Sequence, residues 1–170
     1  NGIPINDQST TQGLHDFGVD FLQTVQQIEI YPGSSATHFG TNAIGGAVNI
    51  ILTGDYKDSL SLAKDKGTNY EFSGNKTYIY DDSSLNIKIG SIKNETISAR
   101  GNSSDEKDAL KNYSTNINYE KFINDNIRIY NTTYLRQTIA EYDNSNTNQA
   151  GYEGDNKMGS VQFGLENQIS

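Results

Sequence analysis

The sequence predicts a mainly β protein made of two unlike parts. The first is a glycine-rich stretch, Val25 to Leu52, that holds most of the apolar residues of the first third of the chain. The second consists of segments after Leu52 in which apolar and polar residues alternate. Only 34% of the 170 residues are hydrophobic, yet 10% are aromatic, with 11 Tyr and 6 Phe. This composition is more typical of strands with one apolar face and one water-facing side than of a disordered chain.

The stretch from Val25 to Leu52 predicts a strand, one helical turn, a glycine loop and a second strand. Residues 25–31 alternate, and Pro32-Gly33 ends that strand. Residues 36–39 can form one helical turn. The pair Gly45-Gly46 permits a tight turn into 47–52, a nearly continuous apolar run that we expect to be buried on both faces.

Tyr70 to Tyr80 is the most informative of the later segments. Tyr70, Phe72 and Tyr78 share one face, so aromatic residues lie at both ends of it. From Tyr70 to Tyr78 a strand spans about 26 Å, which at a tilt of about 40° is close to the height of an outer-membrane apolar band. Lys76 interrupts this face, so we expect a bulge or a snorkelling side chain there.

Short turns alternate with long links after Leu52. The predicted turns lie at 81–84 and 124–126, and the predicted long links at 93–111 and 140–157. Outer-membrane β-barrels alternate in this way, and the polar second faces of these strands suit a wet lumen rather than a dry sandwich core. The residues expected to face lipid are Tyr70, Phe72, Tyr78, Tyr80, Leu85, Ile87, Ile89, Ile117, Val161, Phe163 and Leu165, and those expected to face water are Asn86, Lys88, Asn116 and Asn118.

Composition and motifs argue against several functional classes. The net charge of -8 disfavours a nucleic-acid partner. The chain has no Cys and only two His, and neither His15 nor His38 belongs to a nucleophile motif, so we do not expect an enzyme. A phosphate loop at Gly40–Gly46 would need a following Lys-Ser/Thr, which is missing.

The order of residues from Ile28 to Ile51, I-E-I-x-x-G-x-S-x-x-x-F-G-x-N-A-I-G-G-A-V-N-I-I, resembles the closing segment of the plug domain in TonB-dependent outer-membrane receptors. Two positions depart from the family pattern, Gln27 in place of arginine and Ser34 in place of proline. The residues that carry the resemblance are Glu29, Gly33, Phe39, Gly40, Asn42, Gly45, Gly46 and Asn49.

This resemblance implies a fragment of a plugged transmembrane antiparallel β-barrel. Residues 1–54 would be the C-terminal part of an α+β plug domain, and 55–170 about six N-terminal barrel strands, too few to close a barrel. The signal peptide, early plug and coupling box would lie upstream of Asn1.

The implied function is active uptake of a scarce, bulky small-molecule nutrient across the bacterial outer membrane, driven by the TonB energy-coupling complex. The lipid bilayer would be a further partner, and no cofactor is required. A cobalamin-like ligand is the first hypothesis, and an iron-siderophore is the alternative. A passive porin or adhesin-type barrel would share the strand pattern but would lack the Ile28–Ile51 motif.

Two groups of residues are candidate sites. Asn1 to Thr11 resembles a ligand-facing plug loop, which implies ligand contacts; a solvated polar turn is the alternative. The resemblance to cobalamin receptors also implies that loop carboxylates hold Ca²⁺, and solvated loop charges are the alternative. The ligand-contact candidates are Asn6, Asp7, Gln8, Ser9 and Thr10, and the Ca²⁺ candidates are Asp105, Asp108, Tyr142, Asp143 and Asp155.

Overall fold

The structure is a computed structural model that describes residues 5, 25–33, 38–40, 43, 45–51, 57–97, 107–144 and 147–167. At 96–97, 107–108, 142–144, 147–154, 156, 158–160 and 167 it describes the backbone alone. Within these ranges the protein is mainly β, in two antiparallel sheets. No helix among the described residues is long and apolar enough to cross a membrane.

Eight strands follow one another along the described chain. A two-stranded sheet pairs β1 (Gln27–Pro32) with β2 (Gly46–Ile51). A six-stranded sheet contains β3 (Ser59–Lys64), β4 (Tyr70–Ile79), β5 (Ser83–Ile97), β6 (Lys107–Asn124), β7 (Ile127–Asn144) and β8 (Thr147–Asn167). Its spatial order is the sequence order, so each strand pairs with its neighbour in the chain. The mainly β class is confirmed, and the second sheet has the number of strands that the alternation predicted.

Tight turns join the strands at one end of the six-stranded sheet. Tyr80 N–H donates to Ser83 O at 2.8 Å, which closes the turn between β4 and β5. The Asn124 side chain accepts from the backbone N–H of Asn126 and of Ile127, each at 2.9 Å, in the turn between β6 and β7. Both predicted short turns are therefore confirmed. In the second, the side chain of Asn124 satisfies two backbone N–H groups of the turn that it begins.

The long links predicted at the other end are wrong in extent. Strand β5 continues to Ile97 and β6 begins at Lys107. Strands β7 and β8 stay paired from Ile127↔Asn167 to Asn144↔Thr147, with register shifts only near Asp143. Residues 140–144 and 147–157 thus lie in two paired strands. Alternation of apolar and polar residues predicts a strand only where one face of that strand is apolar. Where both faces are polar the alternation is lost, although the backbone pairing continues.

The two faces of the six-stranded sheet differ sharply in chemistry. We call them the polar face and the apolar face, and residues opposite one another in register share a face. The buried members of the polar face are Asn86, Lys88, Asn112, Ser114, Asn116, Thr132, Arg136 and Thr138. The exposed large members of the apolar face are Leu60, Leu62, Tyr78, Ile89, Tyr113, Tyr119, Leu135, Val161, Phe163 and Leu165. Among the described side chains the only buried hydrophobic ones are Ala43 and Ala109, so this sheet buries polar groups and exposes apolar ones.

The register agrees with the predicted division into two sets of residues. Ile87 pairs with Ile117, and Leu85 pairs with Tyr78, on the apolar face. Asn86 and Asn118 pair on the polar face. The other predicted strand residues follow the same division, and Tyr80 lies one residue beyond the end of β4. That the apolar face contacts lipid stays a prediction.

Lys76 lies on the apolar face without a bulge, since the pairing of β4 with β5 is continuous across it. Its ammonium group forms an ion pair with Asp58 and lies 5.4 Å from the centre of the Tyr78 ring. Asp58 also accepts from the backbone N–H of Thr77 at 2.8 Å. The bulge expected as one possibility at Lys76 is therefore absent from β4. The lysine is accommodated instead by an ion pair with Asp58, which lies just before β3.

The small sheet matches its predicted strands but not their predicted burial. β1 ends at Pro32 and β2 begins at Gly46. In the described part of the chain β2 pairs only with β1, and Val48 is 42% exposed. Burial of β2 on both faces is therefore wrong for this structure, because a two-stranded sheet has no layer of its own to cover either face.

Candidate functional site

Glu29 is the centre of a hydrogen-bonded group on one face of the small sheet. Glu29 and Asn49 are partners in register, although 20 residues separate them in the chain. The Glu29 carboxylate accepts from Asn49 Nδ2 at 2.9 Å, from the Tyr31 hydroxyl at 2.9 Å and from Gln27 Nε2 at 3.0 Å. Two residues of the predicted motif are thus brought into direct contact.

These hydrogen bonds change the acidity of two groups. Donation from Asn49, and next from Tyr31, lowers the pKa of Glu29 because the ionised carboxylate accepts both bonds. The same contact raises the pKa of Tyr31, because the phenol proton is held by Glu29. The carboxylate is therefore held in its charged form.

The motif glycines have backbone conformations that other residues rarely adopt. Gly33, Gly40 and Gly46 have φ values of +57°, +103° and +135°. A Cβ on Gly46 would lie 2.8 Å from the carbonyl oxygen of Tyr31, so both conformation and space require glycine there. Gly45 has open space around it, and its carbonyl accepts from Gly33 N–H at 3.4 Å.

Tyr31 also belongs to a group of three rings. The centre of its ring lies 5.2 Å from that of His38 in an edge-to-face arrangement, and 4.9 Å from that of Phe39. His38 and Phe39 are 4.1 Å apart. Phe39 was among the residues predicted from the sequence, but Tyr31 was not. The sequence feature that indicates Tyr31 is its position two residues after Glu29, on the same face of β1.

Amide and hydroxyl side chains hydrogen-bond to one another across the polar face of the large sheet. Asn112 Nδ2 donates to Thr138 Oγ1 at 2.8 Å, and both residues are 1% exposed. Asn86 Nδ2 donates to Asn75 Oδ1 at 2.7 Å and to Thr77 Oγ1 at 2.8 Å. Such contacts satisfy buried polar groups without an apolar core.

An ion-pair ladder crosses the polar face near the tight turns. Arg128 Nε donates to Glu166 Oε2 at 3.0 Å, and Arg128 Nη1 lies 3.3 Å from Glu120 Oε2. Ser84 Oγ donates to Glu120 Oε1 at 3.0 Å. The ladder joins four strands, and sequence analysis missed it because its members come from separate segments.

Several buried atoms of the polar face make no hydrogen bond within the described chain. They include oxygens of Asn86, Ser114, Asn118 and Gln162. Unsatisfied buried oxygens are costly, and water or a polar partner satisfies them.

Most of the remaining predicted site residues have no described side chain. Asn6 to Thr10, Asn42 and Asp105 lie outside the described residues. Asp108, Tyr142 and Asp143 lie in strands β6 and β7, so their placement in coil loops is wrong.

The Ca²⁺ site predicted from Asp105, Asp108, Tyr142, Asp143 and Asp155 stays a prediction, because Asp155 alone among these residues has a described side chain. Asp155 Oδ2 lies 2.9 Å from Lys157 Nζ, and Asp155 Oδ1 accepts from Gln137 Nε2 at 3.1 Å. Asp155 lies on the same face of the sheet as Lys111, through Ile139 in register. Among the described residues no three acidic or histidine side chains converge on one point.

No family model matches the chain, and no solved structure matches it.

Proposed function

We propose that the chain is part of a TonB-dependent outer-membrane receptor, with 1–54 in the plug and 55–170 forming the first strands of the barrel wall. The receptor would import a bulky, scarce nutrient through its own lumen. One observation carries the proposal: the six-stranded sheet buries its polar face and exposes its apolar face. A soluble sheet protein does the reverse, whereas a barrel wall in lipid requires this arrangement.

The exposed apolar residues favour a lipid environment on energetic grounds. Leu60 and Phe163 are each 78% exposed, Leu62 is 75% exposed and Leu165 is 70% exposed. Moving each such side chain from water to an apolar environment is favourable by about 1.5–3 kcal/mol of transfer free energy. Contiguous apolar surface on this scale marks an interaction surface or a membrane surface rather than an ordinary solvent-facing one.

The apolar face of β6 has the pattern of a membrane-spanning strand. Its residues in order are Lys111, Tyr113, Thr115, Ile117, Tyr119 and Lys121. The two tyrosines therefore lie between the two lysines along the strand. Lys111 to Lys121 spans about 33 Å along the strand and about 25 Å at a tilt of about 40°, which is the height of an outer-membrane apolar band. Tyr113 and Tyr119 are then about 15 Å apart in height, just inside the two edges of that band.

The small sheet supports the plug half of the proposal. Glu29 and Asn49 hydrogen-bond directly, and Gly33, Gly40 and Gly46 take positive φ. The motif residues that suggested a plug are thus the ones that fix the shape of this hairpin. A passive porin or adhesin-type barrel would use the large sheet alone and would have no need of these residues.

We further propose a cobalamin-like ligand, with an iron-siderophore as the alternative. Ligand contacts would come from Asn6–Thr10, and movement of the plug would be driven by the energy-coupling complex. Catalysis is not part of the proposal, since uptake of this kind makes and breaks no bond in the ligand.

Growth of a receptor-deficient host that carries the full-length parent protein tests this function. We expect growth on limiting cobalamin that disappears when the energy-coupling complex is deleted. The matched arm supplies ferric siderophores under iron limitation and identifies the alternative ligand. Growth in either arm that persists without the coupling complex would indicate a passive pore and would contradict the proposal.

A further inference from the structure

We propose that the apolar face carries a binding site for a phosphate-bearing membrane lipid at the end remote from the tight turns. The inference rests on the proposed function, because it requires the apolar face to lie in a bilayer. It adds a site and a ligand class to that proposal.

A shallow groove of about 610 Å³ crosses the apolar face. Phe72, Ile89, Tyr113 and Leu135 form its apolar walls, and Thr115 lies at its floor between Ile89 and Leu135 in register. The small side chain of Thr115 leaves space between two larger ones. The groove therefore has the volume and the apolar lining that an acyl chain requires.

Three lysines lie at the outer end of this groove, and we call them the lysine row. Lys93 and Lys111 are partners in register on the apolar face, and Lys157 lines the groove itself. Lys157 belongs to the same row of the sheet as Tyr113 through Gln137. The apolar band thus ends in cationic groups contributed by three strands, in a chain whose net charge is -8.

Each lysine of the row forms an ion pair with a carboxylate. For Lys93 and Lys157 the partner is two residues away on the same strand, and for Lys111 it is two residues beyond Ile139, its register partner on β7. Lys93 Nζ lies 2.6 Å from Glu95, Lys111 Nζ lies 3.7 Å from Glu141, and Lys157 Nζ lies 2.9 Å from Asp155. By register every one of these carboxylates lies one row further from the apolar band than its lysine. Asp155 lies level with Lys93 and Lys111, whereas Glu95 and Glu141 lie beyond all three lysines. A phosphate at the edge of the bilayer would therefore meet the lysines before two of the three carboxylates.

Two of these ion pairs leave their lysine able to bind a second anion. The Lys157 side chain is 68% exposed, and the Lys111 pair has the longest separation of the three, whereas Lys93 is 24% exposed and lies 2.6 Å from its partner. Exposed or loosely held ion pairs contribute little to stability, so Lys157 and Lys111 can shift from one anion to another at small cost. Lysine near an anionic lipid surface is attracted to it, and its aliphatic stem can remain against the apolar band.

Charge and shape together favour one occupant. A lipid with its phosphate at the lysine row would place an acyl chain in the groove, because the two adjoin one another. A soluble anion would use the lysines without the apolar walls, and an uncharged lipid would use the walls without the lysines. The adjacency of both features selects an anionic lipid of the bilayer.

The test uses the full-length receptor in nanodiscs of phosphatidylcholine with a minor fraction of phosphatidylglycerol. Lipids retained after mild detergent release are identified by native mass spectrometry. We expect the wild-type receptor to retain phosphatidylglycerol about fivefold over its share of the nanodisc lipid, and this enrichment to fall with added salt. Insertion into the nanodisc is scored first, so that failure to insert counts against the proposed function and not against the lipid site.

Two variants and one control make the test specific. Combined Lys93→Gln, Lys111→Gln and Lys157→Gln should abolish the enrichment, and Thr115→Phe should reduce it by filling the groove with all three lysines intact. The control is Lys121→Gln, since Lys121 also lies on the apolar face and is ion-paired, to Asp82 at 3.1 Å, but at the opposite end. Equal retention of both lipids by inserted wild-type receptor, or equal enrichment in the triple variant and the control, would overturn the site.

Discussion

The ring of Tyr130 lies directly over Gly164, in the space that a Cβ at residue 164 would occupy. Such a Cβ would overlap the Tyr130 ring at Cζ. The two residues are partners in register on the polar face, and the Arg128 guanidinium lies 5.4 Å from the centre of the same ring. An aromatic ring laid over a cross-strand glycine fixes the register of β7 against β8.

Gly164→Ala should destabilise the β7–β8 pair by about 1–3 kcal/mol, because the ring must leave its position. Urea unfolding of the full-length receptor in liposomes measures the effect. The double variant Tyr130→Ala, Gly164→Ala should lose less stability than the two single costs added together. The control is Gly74→Ala, where the new Cβ would meet two flexible side chains, Ile89 at 3.3 Å and Leu60 at 3.8 Å. Additive costs at 130 and 164 would show that the ring contact has no energetic role.

Gly46→Val should prevent the small sheet from forming. Its φ of +135° and the 2.8 Å approach to the Tyr31 carbonyl leave no room for a side chain. Gly45→Ala is the matched control, because nothing lies within 4 Å of a Cβ there. Limited proteolysis of the full-length receptor reports the result as cleavage within 25–51. Equal resistance of the two variants would contradict the assigned role of Gly46.

Acid should weaken the small sheet through Glu29. Its pKa is lowered below the ordinary value of 4.5 by hydrogen bonds from Asn49 and Tyr31. A lowered folded-state pKa contributes stability that is present above the unfolded pKa and is lost as pH falls through the folded pKa. Hydrogen exchange of β1 amides between about pH 6 and about pH 3 should show this loss.

The Asn49→Ala variant is the control for that measurement. It removes the largest cause of the shift, so the acid-dependent part of the exchange should shrink while exchange at neutral pH increases. An acid dependence identical to that of the wild-type receptor would exclude the Asn49 contact as its source.

The ion pair between Lys76 and Asp58 should be worth more in lipid than in water. Asp58→Asn leaves a lysine without its carboxylate partner on the apolar face, so it should lower the unfolding midpoint of the receptor in liposomes. Adding Lys76→Leu to that variant should restore the midpoint, because the unpaired charge is removed. A double variant no more stable than Asp58→Asn would show that Lys76 does not face lipid.

Much of the large sheet could be predicted because its alternation is local. Ile87, Ile117 and Val161 stand out against polar neighbours within a few residues, so their shared face follows from the pleat. The extension of β7 past Ala140 could not be predicted, since Glu141, Asp143 and Asn144 are all polar and remove the signal that alternation supplies.

Contacts between distant segments also escaped prediction. The Arg128–Glu120–Glu166 ladder and the Tyr130–Gly164 contact depend on register, which alternation leaves free by any even number of residues. For the small sheet the glycine conformations were predictable, because the turns require them. The contact between Glu29 and Asn49 was not, since it arises only when Pro32 and Gly46 pair.

Labelling of single cysteines tests the central claim, that the apolar face lies in lipid. The chain contains no Cys, so each introduced thiol is unique among its 170 residues. Cysteine is placed at Ile87, Val161 or Phe163 on the apolar face, and at Asn86 or Asn116 on the polar face, of the full-length receptor in liposomes. A lipid-soluble thiol reagent should label the first three strongly and the last two weakly. Equal labelling of the two sets would contradict a membrane-spanning wall.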